Sequence, residues 1–144
     1  VLRCLFLSLL WVSAVLSTEY YVSSTKGNDA NPGTSITTPW RTLQHASSIN
    51  FAPGDVLSLR AGDVWREPLI LHGNGTDSAP IVLKSDAPSS ARPVIALDGS
   101  GVCLSGTELG AVVVQNLELR MASSGVSFSN TDSLLVQDVV FMDI

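Results

Sequence analysis

The chain has 144 residues, 45% of them hydrophobic and 15% charged, with a formal net charge of −5. That length carries one domain with a real core. The absence of any basic run argues against nucleic acid as a partner. The two cysteines, Cys4 and Cys103, form no internal disulfide if the first is removed with a leader.

In chain order, residues 1–17 read as a secretory signal. Arg3 forms a short positive region, Leu5 to Leu16 is an apolar run broken only by Ser8 and Ser13, and Val15 and Ser17 suit cleavage before Thr18. The run is shorter than the roughly 20 residues that a membrane span needs. The expectation is a secreted, extracellular protein without a membrane span, whose mature domain is 18–144.

Tyr20 to Ser23 reads as a short strand, followed by a loop from Gly27 to Thr34 dense in turn-forming residues. Its carboxylate and amides offer the oxygens that calcium takes. A turn stabilised by Asx side chains accounts for the same residues and is the reading preferred here. A helix is expected next, with Thr38 as its N-cap, Pro39 at its first position and an apolar stripe of Trp40, Leu43, Ala46 and Ile49. Asn50 and Pro53-Gly54 end it. Such a helix would cover the apolar end of whatever follows, which makes Trp40 a core anchor rather than a sugar platform.

From Asp55 onward, strand-sized apolar runs alternate with Gly, Asn, Asp and Pro clusters. Asn74-Gly-Thr76 falls in one such turn and is a glycosylation sequon; in a bacterial protein it is only a turn. The pattern repeats near the end of the chain. Gly101-Val-Cys-Leu-Ser-Gly106 is echoed at an offset of 24 by Gly125-Val-Ser-Phe-Ser-Asn130. Val112-Val-Val-Gln-Asn-Leu-Glu-Leu119 is echoed at 22 by Leu134-Leu-Val-Gln-Asp-Val-Val-Phe141. In each copy Asn116 or Asp138 interrupts a period-2 alternation, which resumes one residue out of phase. A polar residue tolerant of the left-handed region bends the chain there and keeps both pieces facing inward. The alternation predicts Val112, Val114, Leu117, Leu119, Val126, Phe128, Leu134, Val136, Val139 and Phe141 as buried. Val102 and Leu104 should form a further inward pair, while Cys103, Val113, Gln115 and Glu118 face out.

Three short strands per repeat, stacked in register, make an all-β, right-handed, single-stranded parallel β-helix with an N-terminal capping helix. The chain opens on Val1 and stops at Ile144 beside the last repeated strand, with nothing like a cap after Phe141. It is therefore expected to be the N-terminal part of a longer solenoid, and the 18–144 piece alone to associate through its open rung.

Tyr20-Tyr-Val-Ser, Gly27-Asn-Asp-Ala-Asn-Pro-Gly-Thr, Pro39-Trp-Arg-Thr-Leu, Pro53-Gly-Asp, Arg66-Glu, Pro80-Ile and Arg92-Pro-Val-Ile resemble the N-terminus of secreted β-helix proteins of the pectate-lyase-like superfamily. The likeness is to polysaccharide lyases of the chondroitinase B and exopectate lyase kind. It implies a polysaccharide partner, β-elimination on a uronate-containing polymer, and a full-length protein that is monomeric. The Lys or Arg base and the calcium-binding acidic cluster of such enzymes lie in later coils, so the resemblance carries over no catalytic residue and leaves calcium to the full-length protein.

The residues themselves nominate little chemistry. A lyase needs a base and a cation beside a uronate, and a glycosidase needs two carboxylates. Asp132, Asp138 and Asp143 are near enough in sequence to contribute, but Asp138 is explained as a bend and the other two as surface groups. His45 and His72 lack ligand spacing. Cys103 is a lone thiol without a neighbouring His, which reads as structural. Gly73-Asn-Gly75 and Gly99-Ser-Gly101 are turns. The expected function is that of a secreted carbohydrate-active β-helix, a lyase first and a non-catalytic adhesive or binding module second.

Overall fold

The computed structural model describes residues 16–120 and 122–143. The chain winds through β1 (Glu19–Val22), α1 (Leu43–Ser47), β2 (Asn50–Phe51), β3 (Val56–Leu59), β4 (Val64–Trp65), β5 (Leu69–Gly73), β6 (Ile81–Ser85), β7 (Val94–Ala96) and β8 (Val102–Thr107). It continues through β9 (Ala111–Gln115), β10 (Glu118–Arg120), β11 (Ser124–Ser129), β12 (Ser133–Gln137) and β13 (Val140–Met142). From β2 onward every third strand returns to the same sheet. The first sheet runs β1-β3-β6-β9-β12, the second β4-β7-β10-β13 and the third β2-β5-β8-β11, all paired in parallel. This is a parallel β-helix.

Stacking sets the core as columns of side chains. Tyr20, Leu57, Leu83, Val114 and Val136 stand above one another in the first sheet, and Trp65, Ile95, Leu119 and Phe141 in the second. The interior members of each column are fully buried. Burying a large aliphatic side chain contributes roughly 1.5–3 kcal/mol, so the columns dominate stability.

Four expectations need correction. The helix begins at Leu43, with Thr42 rather than Thr38 as its cap: the Thr42 side chain accepts the His45 N–H at 3.0 Å. Trp40 belongs to a sheet bridge with Val22 instead, its N–H donating to Tyr21 O and its carbonyl accepting from Ser23 N–H, both at 2.8 Å. Backbone already committed to strand pairing cannot also open a helix. The indole still serves the core, stacked on the Tyr20 ring at 4.9 Å.

The second correction concerns register. Val102 lies over Ser124, Leu104 over Val126 and Gly106 over Phe128, the 22-residue interval found between β9 and β12, not 24. Gly106 explains the choice: a β-carbon there would stand 3.1 Å from the Phe128 ring and clash with Leu109. The bare glycine makes room for the aromatic.

Third, Cys103 is buried and Val102 only half-buried. The thiol fills the corner between the second and third sheets, 3.5 Å from Ile95 O and 3.6 Å from Arg120 O.

Fourth, inward-pointing residues of the last rung are open. Leu134, Val136 and Phe141 are 42%, 38% and 49% exposed. They align with the buried Val112, Val114 and Leu119, but β12 and β13 are edge strands. Val126, Phe128 and Val139 are partly buried against the core, and Val113, Gln115 and Glu118 are also only half-exposed.

Candidate functional site

The outer face of the first sheet carries a polar patch at its N-terminal end. Tyr21, Ser58 and Lys84 are register partners on β1, β3 and β6. Glu19 reaches across to them: the Ser58 hydroxyl donates to it at 2.6 Å and the Lys84 ammonium lies at 3.2 Å. Burial pushes the Glu19 carboxyl up, but the Ser58 and Lys84 bonds more than offset this and hold it below the ordinary range. The Tyr21 phenol is pushed up by burial and by the charge of Glu19.

Beside this patch the loop between β1 and α1 folds back to form a cleft of about 230 Å³, whose walls include Tyr21, Lys26, Ile36, Pro39, Arg60 and Asp86. A buried carboxylate fixes its floor. Asp63 accepts the Ser23 hydroxyl at 2.7 Å, the Thr25 hydroxyl at 2.9 Å and Arg60 Nη1 at 3.2 Å. Arg60 Nη1 also donates to Thr25 Oγ1 at 2.8 Å. Burial raises the Asp63 carboxyl, and the hydrogen bonds from Ser23 and Thr25 overcome that and lower it. Asp86 accepts the Ala61 N–H through Oδ1 at 2.8 Å. Neither Asp63 nor Arg60 has a local signature, because the partners Ser23 and Thr25 are 40 and 38 residues away from Asp63. Only the Ser/Thr-rich stretch after the first strand hinted at them.

Three further acidic side chains, Asp29, Asp55 and Glu67, hold backbone. Asp29 accepts N–H groups of Arg41 and Thr42 at 2.8 and 3.0 Å, and its carboxyl is lowered because bonds from Thr42 outweigh the burial that would raise it. In the same loop Asn28 Oδ1 accepts Ala30 N–H and Asn31 Nδ2 donates to Pro39 O. The side-chain oxygens of Asn28 and Asp29 are thus engaged within the loop and at the helix start. Asp55 binds Thr18 N–H and Ala52 N–H, and Glu67 binds Leu43 N–H. No group of three His, Cys, Asp or Glu with metal-binding geometry occurs among the described residues.

The residues singled out from sequence are scattered. Asn116 and Asp138 lie at equivalent corners with φ of 57° and 52°, Asn116 N–H donating to Gln137 O at 3.2 Å. A second corner repeats the device with Glu108 and Asn130, at φ 57° and 50°, which sequence reasoning missed. Asp132, Asp138 and Asp143 are exposed in the last rung. His45 packs its ring 4.9 Å from Trp40, and the exposed His72 pairs with Asn50 in the third sheet. Asn74 is exposed in the turn after β5, its N–H donating to Phe51 O. Cys4 and the remainder of residues 1–15 lie outside the described residues, as does most of the signal segment. No helix among the described residues is long and apolar enough to cross a membrane.

Fold and cleft together define a parallel β-helix with an aromatic-walled polar recess on its first sheet. No family model matches the chain. It is 37% identical over 87 residues to a lacto-N-biosidase of Bifidobacterium longum subsp. longum, covering 57% of this chain and 5% of that protein. It is 34% identical over 65 residues to α-1,3-galactosidase A of Akkermansia muciniphila, covering 45% of this chain and 11% of that protein. The chain thus spans a small part of the curated relatives it matches. Crystal structures of a GH136 lacto-N-biosidase from Eubacterium ramulus share the fold. The selenomethionine derivative gives a TM-score of 0.75 at 20% identity over 88% of this chain and 27% of that one. The native protein gives 0.65 at 25% identity over 75% and 21%. These likenesses support the β-helix and do not single out the pectate-lyase-like superfamily.

Proposed function

We propose that this chain is the N-terminal part of a secreted carbohydrate-active β-helix protein that cleaves glycosidic bonds by hydrolysis. The observation that carries the reading is the joint likeness, in sequence and fold, to proteins named for hydrolysing glycosidic links. It shifts the chemistry from β-elimination to hydrolysis, which uses two opposed carboxylates. The buried carboxylates described above hold backbone or hydroxyl groups, so the catalytic pair belongs to other coils of the whole protein. The N-terminal coils then anchor the solenoid and shape one flank of a binding surface.

The test is product analysis with the full-length secreted protein on neutral and acidic glycans. New reducing ends without ultraviolet-absorbing unsaturated products support hydrolysis. Unsaturated uronide products would establish a lyase instead, and binding without any bond cleavage would establish an adhesive module. N-terminal sequencing of the secreted protein checks cleavage before Thr18.

A further inference from the structure

We propose that the cleft bounded by Tyr21, Lys26, Ile36, Pro39, Arg60 and Asp86 is a subsite that binds a neutral pyranose without cleaving it. This rests on the reading of the protein as carbohydrate-active and adds a substrate class to its N-terminal end.

The size fits a small ligand. At about 230 Å³ the cleft is smaller than the ~300–1,000 Å³ typical of sites for drug-sized molecules, which suits a single sugar ring. Its surfaces fit the two characters of a pyranose. Tyr21 and Pro39 give an apolar wall for the C–H face, and Ile36, 62% exposed, extends that wall at no evident benefit to the core. The polar side offers both donors and acceptors. Arg60 engages protein only through Nη1, so among the described residues its Nε and Nη2 donors have no protein acceptor. Asp86 bonds Ala61 through one oxygen and keeps the other for a hydroxyl. Lys26 is exposed and has no ion-pair partner among the described residues.

Charge selects the class. Arg60 is matched by the buried Asp63 at 3.2 Å, and the formal charges of Lys26 and Asp86 cancel in the sum over the lining. A ligand carrying a carboxylate or sulfate meets Asp86 in a cleft with no net positive charge to favour it. A neutral ring uses the donor and acceptor set without that repulsion. With one carboxylate on its wall, the cleft lacks the opposed pair that glycoside hydrolysis needs, so it holds rather than cuts.

The experiment is saturation-transfer NMR on the full-length secreted protein with methyl pyranosides of gluco, galacto and manno configuration, and methyl β-glucuronide as the acidic probe. At least one neutral probe should bind, and the glucuronide more weakly. Lys26→Ala combined with Ile36→Ser changes two exposed groups that hold nothing in the fold, and should weaken the neutral probe by about tenfold. Asp86→Asn, which keeps the Ala61 bond, should narrow the gap between neutral and acidic probes. A preference for the glucuronide, or neutral binding unchanged in the double variant, overturns the proposal. The two readings separate cleanly: hydrolysis with KM unaltered in the double variant keeps the function and removes the subsite. Neutral binding sensitive to the double variant in a protein that hydrolyses nothing keeps the subsite and removes the hydrolase.

Discussion

Gly33 lies so close to the Trp40 indole that a β-carbon on Gly33 would stand 2.2 Å from a ring carbon, and its φ is +73°. The indole cannot retreat, because its Nε1 donates to Asn31 O at 3.0 Å and its face is stacked on Tyr20. This contact pins the loop that forms one wall of the cleft. Gly33→Ala should therefore cost about 2–4 kcal/mol, from left-handed strain and overpacking together. Gly99 is the control: φ is +81°, but nothing lies within 4 Å of its added β-carbon, so Gly99→Ala should cost only about 1 kcal/mol. Urea unfolding midpoints of the two variants check the contrast, and equal losses would refute it.

Asp63 should make the fold acid-sensitive. Its folded-state carboxyl is lowered below the ordinary 3.8, as is that of Asp29. A depressed folded value means stability that is fully present above about pH 4 and is lost as pH falls through the lowered value. Asp63→Asn should flatten that acid limb, and Asp63→Ala should cost about 3 kcal/mol at pH 7 by stranding Ser23, Thr25 and Arg60. Thermal melts across pH 2–7 measure both. An unchanged acid limb in Asp63→Asn would mean that other carboxyls control it.

The corner residues should separate by chemistry. Asn116 sits at φ 57°, where a β-branched side chain is strained, so Asn116→Val should cost roughly 1–3 kcal/mol. Glu108 occupies the same backbone region without the local hydrogen bonding that suits Asn. Glu108→Asn should stabilise by about 0.5–1 kcal/mol. Calorimetry reads both, and the same sign for both would sink the argument.

Depth in the stack should govern tolerance to charge. Val114 and Val136 are register partners on the same face, yet Val114 is fully buried and Val136 is 38% exposed. Val114→Asp should lower stability by several kcal/mol, about 3 or more, since its carboxylate has no partner. Val136→Asp in the 18–144 piece should cost about 1 kcal/mol or less. In the full-length protein it becomes as damaging as Val114→Asp if a further rung covers it, which denaturation of both lengths would show.

Burial also pushes the Cys103 thiol above its ordinary range, and the side chain is inaccessible. Disulfide reagents should modify Cys103 at the rate of global unfolding. Modification within seconds under native conditions would contradict the buried corner.

Much of the fold was readable because stacking imposes period 2 on each strand and a bend residue between strands. The β9–β12 pair states both plainly, down to its 22-residue interval. The β8–β11 interval was misjudged because a two-residue slip preserves which face each side chain occupies. Only the volume left by Gly106 for Phe128 decides it, and volume is a property of three dimensions. The helix start was misplaced because Thr38-Pro39 carries a sound local signal, while the bonds of Trp40 to Tyr21 and Ser23 outweigh it from a distance. The cleft was invisible for the same reason. Its fixing carboxylate, Asp63, reads as an ordinary turn residue until Ser23 and Thr25 arrive beside it.

Helix α1 packs against β5 at the N-terminal end of the stack. Asp29 ties its start from earlier chain, but three further fastenings come from later chain: Trp65 Nε1 donates to Arg41 O, Glu67 accepts Leu43 N–H, and Ser47 Oγ accepts Ile70 N–H, across 23 or 24 residues. The plug is therefore a latch whose later ties close only after the second coil is made. During synthesis at ~5–20 residues per second, the helix waits about 1–5 s for its fasteners to emerge. Through that interval the apolar side of Leu43 and Ala46 is without its clasp. The timing of synthesis, rather than final stability, then decides how safely this end of the molecule is made.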